Sequence, residues 1–197
     1  MPAKTSIYSV DIYVALLKGM DNERIAQQIL DNHESGNLSL FQEENDRANN
    51  EEDSTLPETE ETNLLTELIL NRVIEVVEEH YPKKKYNIEF DRVIEGKNMI
   101  WSHVTMPNES TIYHNHYLED DTKFTDLSCV YYVKTSPKCG NIRFNPITHD
   151  RKMFTVEPED GMLIIFPSWL PHFTERNLSK NVRVCISANF IIRESCD

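Results

Sequence analysis

The sequence predicts a mainly β protein with supporting helices: a double-stranded β-helix (jelly roll) with two N-terminal helices packed on one sheet. Three observations carry this. From residue 86 onward, short runs of β-branched and aromatic residues alternate with Pro, Gly and Asn at nearly regular spacing, the pattern of a sandwich or barrel. Only two earlier stretches have a helical period. No internal repeat is evident.

In chain order, residues 7–17 (IYSVDIYVALL) are rich in strand formers and open the chain as a strand. Asp21 can cap a helix over 22–32, with Ile25, Ile29 and Leu30 on one stripe, and Gly36-Asn37 is its stop signal. Residues 42–61 hold nine acidic residues against the single Arg47 and almost nothing apolar. Such a run buries too little to offset its ordering entropy, so it reads as a mobile acidic loop. The strongest helix covers 63–81, where Leu64, Leu65, Leu68, Ile69, Val73, Ile74, Val76 and Val77 form a wide apolar stripe. Pro82 and Lys83-Lys84-Lys85 end it. Strands are then expected at 86–94, 98–106, 110–118, 126–134, 140–145, 153–156, 161–166, 171–174 and 182–192. The organisation expected is one domain over 1–197, with 1–85 as support and 86–193 as the jelly-roll core.

Charge and cysteine usage narrow the function classes. The 197 residues carry 33 Asp and Glu against 20 Lys and Arg, a net charge of −13. There is no basic stripe of the kind that phosphate contacts need, so no nucleic-acid partner is expected. Cys129, Cys139, Cys185 and Cys196 form no C-x-x-C pair, and no signal-peptide core opens the chain. A cytoplasmic, reducing setting follows as the expectation. No apolar run approaches the roughly 20 residues of a membrane span, so no membrane partner is expected. Oligomeric state is not written in the sequence.

The chemistry-bearing residues are histidines. His114-Asn115-His116 places two imidazoles at i and i+2, the spacing that brings both to one face of a strand. His172 lies 56 residues beyond His116. It follows a continuous apolar strand (Met162-Leu163-Ile164-Ile165-Phe166) and the stiff link Pro167-Ser168-Trp169-Leu170-Pro171, a preorganised way to present one polar residue. Three imidazoles meeting there would form a facial metal site with open positions, the ligand logic of non-haem Fe(II) centres. His33, His80, His103 and His149 read as structural. Arg183 is the one basic side chain in an otherwise apolar or small strand, so it needs a partner. That partner is either a carboxylate of the protein or a ligand carboxylate held at two points. Ser187 and Asn189 share its face.

At this point the stretch from His114 to Phe190 resembles the Fe(II)- and 2-oxoglutarate-dependent oxygenase superfamily. It is most similar to the prolyl-hydroxylase-like enzymes and to an oxygenase group found in phage and bacteria. His114-Asn115-His116 stands where the family has H-x-D or H-x-H. Leu127 to Val133 resembles a strand whose tyrosine, here Tyr132, contacts the co-substrate. Gly140-Asn141-Ile142-Arg143-Phe144-Asn145-Pro146 and Pro158 through His172 follow in order. Arg183 falls where the family binds the C5 carboxylate of 2-oxoglutarate. The resemblance implies His114, His116 and His172 as metal ligands and Arg183, Tyr132, Ser187 and Asn189 as the co-substrate set. It also implies Fe(II), 2-oxoglutarate and dioxygen as cofactors, with ascorbate as a reductant. The implied reaction is oxidative decarboxylation to succinate and carbon dioxide with hydroxylation of a C–H bond, on a small molecule or on a prolyl or other residue of a peptide or protein.

Two departures from the pattern stand out. The usual acidic ligand is replaced by His116, unless a carboxylate such as Glu119 substitutes, and Cys185 stands where an Arg-x-Ser motif has serine. Two other readings stay open. A cupin would use His114-x-His116-x₂-Glu119 and Gly161-x₅-Pro167-x₄-His172, but gives Arg183 no standard role. A non-enzymatic jelly-roll binding or virion module would keep the histidines as structure and bind no iron.

Overall fold

The computed structural model describes residues 10–35, 52–80, 82, 84–90, 93–94, 97–98, 100–116, 125–145 and 153–195. The chain builds a large antiparallel sheet, a small one facing it, and two helices on the far side. The elements are β1 (Tyr13–Leu16), α1 (Asn22–Glu34), β2 (Glu52–Thr55), α2 (Glu60–His80), β3 (Tyr86–Phe90), β4 (Val93–Ile94), β5 (Lys97–Asn98), β6 (Ile100–Thr105), β7 (Leu127–Lys134), β8 (Ile142–Phe144), β9 (Phe154–Val156), β10 (Met162–Pro167), β11 (His172–Thr174) and β12 (Arg183–Glu194). The seven-stranded sheet runs β1-β10-β7-β12-β6-β2, with β3 also on β12. The small sheet runs β11-β8-β9, and β4 pairs with β5. This is the jelly roll with two helices on one sheet.

The central strands read as unbroken apolar runs because both of their faces are buried. On β7, β10 and β12, residues Cys129, Tyr131, Val133, Leu163, Ile165, Val184, Ile186, Ala188 and Phe190 pack toward Ile25, Ile29, Leu65, Ile69 and Val73 of the helices. The alternate residues Val130, Tyr132, Met162, Ile164, Phe166 and Cys185 face Ile142 and Phe144 of the small sheet. A period of two on a strand thus feeds two cores at once. The site lies in the second.

The helices start where caps dictate. Asp21 accepts a hydrogen bond from the Arg24 N–H at 3.1 Å, as expected of an N-cap. Helix α2 begins three residues before the predicted 63, because Thr59 and Thr62 bond reciprocally through backbone N–H and side-chain oxygen at 3.0 and 3.2 Å. That is a capping box with threonine in the glutamate's place.

Three expectations need correction. Within the stretch expected to be a mobile acidic loop, residues 52–55 form β2, paired antiparallel with β6 (Glu52↔Val104, Thr55↔Trp101), and Glu60 and Glu61 open α2. Residues 42–51 of that stretch lie outside the described residues. Exposed strand pairing satisfies backbone groups whatever the side chains are, so a polar run can still be an edge strand. Secondly, the strand expected at 110–118 is irregular over 111–116, with one bridge between His114 and His172. Thirdly, among the described residues the opening strand covers only Tyr13–Leu16. No described helix is long and apolar enough to cross a membrane.

Candidate metal centre

His172 begins β11, and its backbone exchanges two hydrogen bonds with His114, N–H to O at 2.8 and 2.9 Å. The backbone N–H of His116 donates to the Ser168 carbonyl in the stiff link at 2.9 Å. The irregular segment is therefore sewn to β11 at one histidine and to the link at the other. Ser168 is fully buried and its hydroxyl lies 2.9 Å from that of Ser128, which in turn donates to Asn189 Oδ1 at 2.7 Å. Asn189 thus buttresses the link that holds His116 and is not among the residues lining the cavity.

The three rings converge: one ligand atom from each of His114, His116 and His172 lies within 4.8 Å of the others. Nδ1 of His114 lies 2.7 Å from the Ile112 carbonyl, and Nδ1 of His172 lies 2.9 Å from that of Leu170. A carbonyl only accepts, so both Nδ1 atoms carry the proton and both Nε2 lone pairs are left for the cluster. Nε2 of His116 is 3.3 Å from Nε2 of His172. Two nitrogens each about 2.0–2.1 Å from one divalent ion would lie about 3 Å apart at a right angle, so the donor set fits a metal. Carbonyls that fix tautomer and ring angle are the usual support of such ligands.

Burial and the nearby His114 push His172 down to about 3, against an opposing hydrogen bond to Leu170 and with a smaller push from His103. The ring therefore stays neutral, as a ligand must. Its folded value lies below the unfolded value of about 6.5, so protons bind preferentially to the unfolded chain. This contribution to stability is complete above the unfolded value and is lost as pH falls toward 3. Metal-free protein is expected to melt at progressively lower temperature from pH 6.5 to pH 4. A flat melting profile across that range would contradict a buried neutral His172.

The cavity beyond the cluster is lined by Trp101, His103, Thr111, Tyr132, Thr174, Arg183, Cys185 and Ser187, among others. Arg183 is buried to 1% exposure. Its Nη1 donates to the carbonyls of Cys139 (3.0 Å) and Gly140 (3.4 Å), and Nη2 to the hydroxyls of Thr105 (3.0 Å) and Thr174 (3.1 Å). The fork thus grips β6, β11 and the turn before β8 while its charge sits in the cavity wall. Tyr132 and Ser187 line the cavity; Glu119 and His149 lie outside the described residues. His80, read as structural, hydrogen-bonds Tyr13 at 3.2 Å away from the cavity. His103 is different. Expected to be structural, it lines the cavity together with Trp101, two residues before it on β6.

Residues 145–189 match the family model described as "Putative 2OG-Fe(II) oxygenase", which takes in the link, His172 and Arg183. Over those residues the chain is similar to Fe(II)/2-oxoglutarate oxygenases. Solved structures share the fold. A prolyl-4-hydroxylase from Pseudomonas putida superposes with a TM-score of 0.68 at 15% identity, covering 92% of each chain. A prolyl hydroxylase from Trichoplax adhaerens, in complex with a hypoxia-inducible-factor peptide fragment, gives 0.67 at 16% identity, covering 91% of this chain and 83% of that one. A viral collagen prolyl hydroxylase from Paramecium bursaria Chlorella virus-1, in complex with 2-oxoglutarate, gives 0.57 at 13%, covering 90% and 95%. No curated protein matches the sequence significantly.

Proposed function

We propose that this protein is a 2-oxoglutarate-dependent non-haem iron dioxygenase that hydroxylates a C–H bond of a peptide substrate, with His114, His116 and His172 holding the iron and 2-oxoglutarate lying between them and Arg183. The observation that carries this is the three-imidazole cluster at one end of a cavity whose wall contains the buried Arg183. The bound iron and co-substrate would supply oxidative decarboxylation of 2-oxoglutarate to succinate and carbon dioxide, with one oxygen atom passing to the substrate. The chain's own part is positional. His114 and His172 present Nε2 with Nδ1 tied to backbone, and the link fixes His116. Arg183 supplies a positive charge for the remote carboxylate, and Tyr132 and Ser187 stand on neighbouring strands of the same wall. Asn189, expected to bind co-substrate, takes instead the role of positioning the link. The peptide bound by the Trichoplax enzyme supports a peptide substrate, with a prolyl residue the first to test. The free thiols of Cys129, Cys139 and Cys185 suit a reducing, intracellular setting. The family model's match to residues 145–189 supports this reading over the cupin and the non-enzymatic jelly roll.

The test is succinate formation from 2-oxoglutarate with Fe(II) and ascorbate, with and without prolyl peptides. His172→Ala is expected to cut Mn(II) affinity by at least the 10- to 100-fold that even a lost supporting partner costs. Unchanged Mn(II) affinity in that variant would remove His172 from the ligand set.

A further inference from the structure

The strand register lays out the cavity wall in rows. Residues directly opposite on antiparallel strands share a face. Arg183 pairs with Thr105, Cys185 with His103 and Tyr132, and Ser187 with Trp101 and Val130. His103 therefore stands one row from the guanidinium, in a cavity that also holds His114, His116 and His172. Its Nε2 lies 2.7 Å from Nε1 of Trp101. An indole N–H only donates, so Nε2 must accept, and the ring's proton sits on Nδ1. The indole also lies against His116, with ring centroids 6.1 Å apart.

A dicarboxylate in this cavity must find donors as well as charge. Arg183 offers the charge, but its four Nη hydrogens already have four protein acceptors, Cys139, Gly140, Thr105 and Thr174. The Thr174 hydroxyl in turn donates to Thr111 at 2.8 Å. The Nη positions are thus occupied and further donors for the ligand come from other cavity side chains, of which His103 is one whose donor atom is set by a neighbour.

We propose that His103 is a further co-substrate-binding residue, donating Nδ1–H to an oxygen of 2-oxoglutarate, and that Trp101 is the positioning residue that fixes its tautomer. This rests on the reading of the cavity as the co-substrate site. Calorimetric titration of 2-oxoglutarate into Mn(II)-loaded full-length protein tests it. His103→Leu is expected to weaken 2-oxoglutarate about 10- to 150-fold, the loss of one hydrogen bond to a charged group, with Mn(II) affinity unchanged. His103→Asn keeps an N–H near the Nδ1 position and is expected to retain most of the affinity. Trp101→Phe should weaken 2-oxoglutarate in the His103 protein but not in the His103→Asn background, where no tautomer needs fixing. Wild-type affinity in His103→Leu overturns the proposal. So does an equal loss from Trp101→Phe in both backgrounds, which would make Trp101 a packing residue. Wild-type protein that binds Mn(II) but not 2-oxoglutarate overturns the co-substrate reading itself, and His103's role with it.

Discussion

Arg183→Gln is expected to weaken 2-oxoglutarate binding by about 30-fold to several-thousand-fold while Mn(II) still binds as in the wild type, because a buried charge partner is lost and the imidazoles are untouched. Arg183 is 1% exposed, and a charge in so dry a place acts strongly on an arriving carboxylate. The same burial gives the residue a second duty. Its fork ties Thr105 on β6, Thr174 on β11 and the carbonyls of Cys139 and Gly140. Glutamine can replace only part of that grip, so the melting temperature should fall as well. Arg183→Lys separates the two duties, since it keeps the charge and loses the fork. It should lose comparable stability but bind 2-oxoglutarate better than the glutamine variant. A glutamine variant that binds 2-oxoglutarate as tightly as wild type would show that the charge serves the fold alone.

Gly140→Ala is expected to cost about 3 kcal/mol or more, which for a chain of this size lowers the melting temperature by about 6–12 °C. Gly140 has φ +96°, a conformation an L side chain rarely adopts. A Cβ there would stand 2.1 Å from the Glu175 carbonyl oxygen and 3.1 Å from Arg183 Nη1. The carbonyl is backbone, and the adjacent Glu175 N–H is held by the Asn141 carbonyl at 2.8 Å, so the clash cannot be relieved by turning a side chain. Either β11 moves away from the turn or Arg183 loses two of its acceptors. The damage should therefore reach 2-oxoglutarate affinity as well as stability. A variant melting within about 2 °C of wild type would mean that the turn is not built this way.

The parts legible in the sequence were those with a local physical signature. His114 and His116 are two apart and His172 ends a rigid link, so the donor set was recognisable, while the hydrogen bonds to His172 and Ser168 that bring the three together come from distant partners. The apolar runs of β7, β10 and β12 announce strands buried on both faces, and Asp21 announces α1. Other parts are fixed by distant partners. β2 emerges from an acidic run because β6 offers it a ladder, and no residue of 52–55 signals that. The carrier of His114 and His116 alternates like a strand, yet it pairs by a single bridge. His103 looks like any strand histidine until the register sets it beside Cys185 and the Trp101 hydrogen bond fixes its proton. Arg183 was recognisable as a charge in need of partners, but not as one whose Nη donors are all taken up by neutral oxygens.

The short first strand has a consequence for handling the protein. β1 lies along β10, Tyr13↔Ile165 through Leu16↔Met162, and so covers the outer edge of a strand whose residues 162–166 are buried and apolar on both faces. A chain trimmed past Leu17 would expose that backbone edge to solvent, a ready template for other chains. Val14 and Leu16 are themselves about half exposed, at 48% and 49%. Loss of the first seventeen residues would touch no residue of the metal cluster, yet it would replace a short edge strand by a longer, apolar one more prone to fibrous self-assembly.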